Sequence, residues 1–404
     1  MNSKKNLKRN LLICLLASSA VMYTLPLHAA TSVIGNNQLP TGGQSLTGNH
    51  EITPDIPVGG TMPNNPVMTI KQDGANGIIK WGTFDVGGSA TVNFEGNVNG
   101  YNTLNYVNGA NVSQIYGTIN ANNNGNIFIV NPAGVQIGNS AQINVGSLYV
   151  SNQNLDTVDW SSISANTDVN TFLNQYDTHT NAELMSLGNI NITNVKNGNV
   201  TFEGNGRIVI DTERIKKNDV VTDNFIVKTD DKNDVLLGYD AYNTENNPGT
   251  YDGMQKTFAN NVFVNNSATA TAVDGYMWVE DVKQLQAINT NLSGNYALRN
   301  SIDATSTEQK DFISIGSDNS KAFTGNFDGI DYNIFGLTIK TGGENTGLFG
   351  YTNNATISNV TLVGGSITGS NNVGAIVGSA NNTTLTNVVN SAAVSGNSNV
   401  GGIV

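Results

Sequence analysis

The sequence predicts an all-β chain: a right-handed parallel β-helix with an N-terminal cap, followed by a second β-helical section of longer period. Three observations carry that expectation. Between Gln114 and Val150, aliphatic residues two apart recur as Ile119/Ala121, Ile127/Ile129, Val135/Ile137 and Ile143/Val145, at a step of about eight residues. Period two within a pair describes a short strand with one face turned inward, and the Gly and Asn clusters between pairs describe a corner after each strand. The second observation is composition: there are 44 Gly, and about one residue in six is Asn, the two types that best tolerate left-handed backbone at tight corners. Third, Gly347-Leu348-Phe349-Gly350 leading to Ile357 is repeated by Gly374-Ala375-Ile376-Val377-Gly378 leading to Leu385, an interval of about 28 residues. Hairpins would need two-residue turns and paired registers. Disorder would lack the regular aliphatic face.

Residues Met1–Ala30 read as an export signal. Lys4, Lys5, Lys8 and Arg9 precede an apolar run from Leu11 to about Met22, with cleavage expected after Ala29 or Ala30. That run is too short to span a membrane. From Thr31 to about Met68 the chain is Pro- and Gly-rich and poorly periodic, which suits a cap over the open edge of a first coil. Strands follow at Met68–Ile70, Ile78–Trp81 and Ala90–Phe94, then run on to Val150. The pattern lapses from Ser151 to Leu187. There Phe172, Tyr176 and Leu184 among polar residues predict one or two short helices packed on the solenoid. Coils resume at Ile190/Ile192, Val200/Phe202 and Ile208/Ile210; a charged stretch and an Asn-rich one then end the first section, 31–272.

The second section, 273–404, opens with Val282, Leu285, Ile288 and Leu292 at helical spacing, a short amphipathic helix stopped by Gly294. Strands are expected at Tyr296–Leu298, Phe312–Ile315, Phe323–Phe327 and Ile334–Ile339, ahead of the repeats. A further repeat opens at Gly401-Gly402-Ile403, so the solenoid is expected to continue beyond Val404.

Four segments carry a family resemblance. Leu39-Pro40-Thr41-Gly42-Gly43, then Ile79 to Gly87 (IKWGTFDVG), then Val92-Asn93-Phe94, then Asn131-Pro132-Ala133-Gly134 before Val135 resemble, in order, the N-terminal domains of filamentous-haemagglutinin-type two-partner-secretion proteins, closest to the high-molecular-weight adhesin branch. Ala133 stands where that family usually has a second Asn in its Asn-Pro-Asn-Gly motif, and the Asn-Pro-Asn-Leu motif is missing. The resemblance implies a secretion domain (haemagglutination activity domain) at 31–272. Asn131, Pro132, Ala133 and Gly134 would be its secretion motif, and an outer-membrane transporter with POTRA domains its partner. The Sec translocon would act first, on the signal peptide. From Gly275 onward the chain resembles GLUG-motif repeats of bacterial surface proteins, with Gly347, Leu348, Phe349, Gly350, Gly374, Gly378, Gly401 and Gly402 as repeat-motif residues. Together these imply an adhesin, secreted or tethered at the bacterial cell surface, whose further partner is a host-cell glycan or protein receptor. Alternatives are the secretion domain of a larger toxin or haemolysin, or a β-helix polysaccharide-degrading enzyme.

The remaining residues argue against chemistry. Net charge is −12, and loss of the signal's four basic residues takes it to −16, which disfavours nucleic acid as a partner. Cys14 lies within the signal, so the exported chain carries no cysteine. A long solenoid has core enough without disulfides, and a chain threaded unfolded through a pore must not be locked; the two accounts are compatible. Only His50 and His179 follow the signal, which leaves almost nothing for a nucleophilic triad. Asp230–Asp234 lacks the Gly and terminal Glu of a calcium loop and reads as a solvated turn. Asp328 and Asp331 are the best carboxylate pair, in a turn where corner stabilisation is the better reading. Arg214, Lys216 and Lys217 read as a solvated basic loop. The expectation is a non-enzyme with no cofactor and no metal. Asn111-Val112-Ser113, Asn191-Ile192-Thr193 and Asn291-Leu292-Ser293 match the glycosylation triplet.

Overall fold

The computed structural model describes residues 34–54, 63–164, 167–176, 178–192, 200–245, 247–251, 255–308 and 312–404. The export signal lies outside the described residues. From residue 67 to 239 the chain winds as a parallel β-helix with three faces, sheets of nine, eight and ten strands in all. Each turn adds one strand to each face, and like residues stack in columns. Ile119, Ile143, Ile190 and Ile215 are successive register partners on the eight-stranded face. Ile127, Leu148, Val200 and Phe225 stack on the nine-stranded face. Val135, Leu184, Ile208 and Val235 stack on the ten-stranded one. All twelve are buried, each worth roughly 1.5–3 kcal/mol against exposure. The aliphatic pairs of the sequence are therefore the lining of the bore.

Outside the bore, Asn side chains run in parallel columns. Asn120 donates to Asn93 and Asn144 to Asn120, at 3.0 and 2.9 Å. Asn102 donates to Asn76 and Asn126 to Asn102, both at 2.9 Å. In the second section Asn372 and Asn399 repeat the pattern from Asn345. At the corners, Asn123, Asn354, Asn359 and Asn387 hold positive φ, so one residue type serves both ladder and turn.

The cap forms as expected. Gln44–Thr47 runs antiparallel to 78–80 and Glu51–Pro54 antiparallel to 68–71, closing the first edges of two faces. His50 sits between them: its Nε2 lies 3.0 Å from Gln72 Oε1 and its Nδ1 3.0 Å from Ser45 Oγ. Burial lowers the His50 pKa below the usual 6.5, with the Gln72 hydrogen bond opposing. Below that value the unfolded chain binds the proton more readily. Stability supplied by neutral His50 is therefore present above pH 6.5 and lost as pH falls toward the lowered folded value. Urea midpoints should drop between about pH 7.5 and about pH 5.5, and His50→Gln should make that drop smaller.

Among the described residues, the lapse after Ser151 contains one α-helix, α1 (Val169–Leu173), capped by Asp168, whose side chain accepts from Thr171 N–H. Phe172 and Leu173 cover an outer apolar patch of the nine-stranded face made by Ile78, Leu104 and Phe128, and Trp160 stacks on Tyr106 at 5.1 Å. Leu184, expected in a helix, begins a strand, Leu184–Ser186, because its place in the Val135–Ile208 column outweighs the local polar pattern. The charged stretch after Asp211 continues the coils through Ile215–Lys217, Phe225–Thr229 and Val235–Tyr239. Two faces then stop in antiparallel hairpins, at 220–221 and 271–274. Of the three faces, the ten-stranded one alone continues past Asp274, and it runs on to Thr384–Thr386.

In the second section α2 spans Val282–Ala287, tightening to a 3-10 turn at Ile288–Thr290. Ile315 makes a single bridge to Phe349 rather than the strand expected at Phe312–Ile315, although both Phe312 and Ile315 are buried. The strand expected at Ile334–Ile339 is split by Gly336, φ +69°, into Asn333–Phe335 and Thr338–Lys340. The 28-residue interval is the coil itself: Phe349 pairs with Val377 and Ile357 with Leu385. Leu348 and Phe349 are fully buried. At Gly347 an added Cβ would fall 2.7 Å from Gly374 O of the next coil, so Gly347, Gly350, Gly374 and Gly378 occur where backbones touch. Gly401 and Gly402 lie past the last strand, Ser398–Val400.

Candidate functional site

The corner at Asn131 is set by the strand before it. Asn126–Val130 (NIFIV) is buried along most of its length and pairs on both sides within the nine-stranded face. The chain must then turn sharply onto the next face, and Gly134 N–H donates to Asn131 O at 2.9 Å across a four-residue turn. Pro132 supplies a fixed φ at the second position. Gly134 has φ +103°, and an added Cβ would lie 2.6 Å from Glu183 O.

Asn131 is fully buried, and its amide is consumed. Its Nδ2 donates to Asn111 O at 2.9 Å and Ser113 Oγ at 3.0 Å, while its Oδ1 accepts from Ala133 N–H at 2.8 Å. Ser113 N–H closes the arrangement on Gly134 O. Only Pro132 and Ala133 are partly exposed. The insert between coils seals the corner from above: Thr180 Oγ1 donates to Pro132 O at 2.6 Å and Val135 N–H to Glu183 O at 3.2 Å. Sequence reading missed Thr180 and Glu183, because the insert breaks the repeat that would have placed them beside Val135.

Two other segments of the resemblance meet each other. Thr41 N–H donates to Thr83 O, Gly82 N–H to Thr41 O, and the two Thr hydroxyls lie 2.8 Å apart. Gly43 faces the Trp81 ring, and Trp81 Nε1 donates to Asn105. Asp85 accepts from Gln114 N–H at 2.8 Å, and burial pushes its carboxyl up against that hydrogen bond. Asn131 contacts neither pair; it closes on Asn111 and Ser113 instead.

The residues weighed for catalysis are dispersed. The His179 side chain is largely covered, its Nε2 3.8 Å from Glu203, and it lies far along the chain from His50. Asp328 Oδ1 accepts from Ile330 N–H at 2.8 Å and Asn359 Nδ2 at 3.0 Å, the corner role expected of it, and takes Arg207 as well. Arg214 donates to Asp211, and Lys216 and Lys217 lie on the strand Ile215–Lys217, half-buried, where a solvated loop was expected. The edge column through Ile215 holds them there. Among the described residues no three His, Cys, Asp or Glu side chains gather to hold a metal ion. No described helix is long and apolar enough to cross a membrane. Of the glycosylation triplets, Asn111 is exposed, Asn291 half-buried, and Thr193 outside the described residues.

A family model described as the TPS secretion domain matches residues 44–327. Halomucin of Haloquadratum walsbyi is 34% identical over 139 residues, 31% of this chain and 2% of that protein. Heme/hemopexin-binding protein of Haemophilus influenzae is 38% identical over 97 residues, 24% of this chain and 10% of that one. A second Haemophilus influenzae Heme/hemopexin-binding protein is 32% identical over 120 residues, 30% of this chain and 12% of that protein. The chain thus spans only a small fraction of the length of the curated relatives it matches. The crystal structure of the HMW1 secretion domain from Haemophilus influenzae covers 88% of this chain and 100% of that one, at 13% identity and a TM-score of 0.35.

Proposed function

Because the chain belongs to the TPS secretion domain family, we propose that it directs two-partner secretion of a surface-exposed bacterial adhesin and nucleates that protein's β-helix outside the cell. A TPS domain implies an outer-membrane partner transporter; its POTRA domains, a host receptor and the adhesive role itself belong to this proposal. One observation supports the mechanism. Both Nδ2 protons of Asn131 and its Oδ1 are engaged within the folded chain, and the residue is fully buried. A transporter can read that side chain only before the corner closes. The chain therefore meets the transporter unfolded, and Asn131 is hidden once the coil forms.

Folding outside then follows from the columns. A single coil buries too few side chains to offset the entropy of ordering it, so each must form on one already in place. The cap at 44–54 and the first coils are the template, and later coils draw the chain outward as they stack.

Export of the full chain should be measured with and without its transporter, using wild type, Asn131→Ala and Val145→Ala. Both variants lose interior contacts, and the second leaves the corner intact. Export of Asn131→Ala below that of a Val145→Ala chain of equal stability supports direct reading of the motif. Equal export assigns the corner to folding alone. Export that persists without any transporter overturns the two-partner reading.

Two relatives' names favour a second reading, in which the exported chain binds haem or a haem-carrying protein. Titration of the purified chain with hemin distinguishes the two. A saturable Soret shift supports the haem reading, and adhesion to host cells without that shift supports the adhesin.

A further inference from the structure

Of the four arginines in the sequence, three follow the signal: Arg207, Arg214 and Arg299. All three gather where the two sections meet. Arg299 comes just after the strand Asn295–Leu298 of the second section, yet it reaches Asp211 at the end of the strand Ile208–Asp211. Its Nε donates to Asp211 Oδ2 at 2.7 Å, and its Nη1 to Asp240 at 2.9 Å and Glu280 at 2.8 Å. The Asp211 side chain is fully buried and also accepts from Trp278 Nε1 and Arg214 Nε, both at 3.1 Å. Arg207 works in the opposite sense. It belongs to the first section and donates to Asp328 of the second at 2.8 Å, with Glu183 and Asp331 within 3.7 Å.

These contacts are remote in the sheet. Three strands separate Asn326–Asp328 from Ile208–Asp211 in the ten-stranded face, which in a flat sheet is a distance of about 19 Å at about 4.8 Å per strand. Contact at hydrogen-bond distance requires the face to fold over on its outer side. Only two residue pairs join 238–239 to 276–277, the shortest junction between neighbouring strands of that face. An added Cβ at Gly238 would enter the Trp278 ring, so the indole lies directly on that backbone.

The surfaces brought together are apolar. Met185, Leu187, Val209 and Leu236 of the first section pack against Trp278, Ala297 and Ile330 of the second, in a cluster separate from the bore. Ile330 reaches it from φ +47°, a conformation that is strained for a β-branched residue and persists only where surroundings enforce it. Tyr332 packs beside it, its phenol pushed up to about 12 by burial, with Tyr116 and Glu183 adding.

We propose that residues 326–332 form a latch that closes onto the completed strands Leu184–Ser186, Ile208–Asp211 and Val235–Tyr239, so that the two sections open as one cooperative unit rather than as separate domains. The latch cannot close early, since its seat is built from three strands of the first section. Once closed, it holds the open end of that section against unwinding.

Hydrogen exchange on the purified full chain tests this, following amides of 208–210 and 357–363 as denaturant is raised. In the wild type both groups should open together. In Arg207→Gln/Arg299→Gln, and in the milder Ile330→Gly, which relieves the backbone and removes the apolar plug, amides of 357–363 should exchange at least about tenfold faster while those of 208–210 change less. Should the double variant fail to fold, Ile330→Gly decides alone. Separate opening of the two groups in the wild type, or joint opening in a folded latch variant, overturns the proposal.

Discussion

Ile143→Asp should abolish the folded state, whereas Asn144→Asp, one residue along, should shift stability by no more than about 1 kcal/mol. Ile143 is fully buried between Ile119 and Ile190 in its column. Losing the aliphatic side chain removes roughly 1.5–3 kcal/mol, and placing a carboxylate in the bore costs several kcal/mol more, or forces its protonation. The sum approaches the entire stability of an ordinary domain, about 5–15 kcal/mol. Asn144 points outward, exposed, and gives up one hydrogen bond to Asn120. Circular dichroism and urea unfolding of the two variants check the contrast. A folded Ile143→Asp chain would mean that the bore is wet.

Gly134→Val should cost about 3–5 kcal/mol, with Gly134→Ala falling between it and wild type. Its φ of +103° excludes a β-branched residue, and the new Cβ would meet Glu183 O at 2.6 Å, a backbone atom that cannot swing aside. Either the corner opens or the insert lifts. Both break the bond from Val135 N–H to Glu183 O, so the exchange rate of the Val135 amide should rise along with the fall in the urea midpoint. Loss of stability without faster exchange at Val135 would locate the damage elsewhere.

The bore was legible because its signal is one-dimensional. A stack of Ile119, Ile143 and Ile190 leaves the same residue at each turn, and nothing in the local chain competes with it. Corners were legible for a related reason, since Asn and Gly are the residues that left-handed backbone admits. Leu184 was misread because its column partners, Val135 and Ile208, lie 49 residues back and 24 ahead, across an insert of irregular length. The seal over Asn131 stayed hidden for the same cause. The outer cluster did leave a trace: Ile208-Val209-Ile210 and Val235-Leu236-Leu237 are apolar at every position, the mark of strands covered on both faces. Nothing in the sequence says that the cover is Ile330, which lies about 100 residues downstream.

The Asn columns bear on the medium in which such a chain can assemble. Amide pairs carry no net charge, so ions in solution do not screen them as they screen exposed carboxylate–ammonium pairs. Successive turns joined by Asn76, Asn102 and Asn126, or by Asn345, Asn372 and Asn399, keep the same grip in brackish or fresh surroundings. A rod clasped this way tolerates an acidic exterior, because these amide contacts do not rely on countercharges.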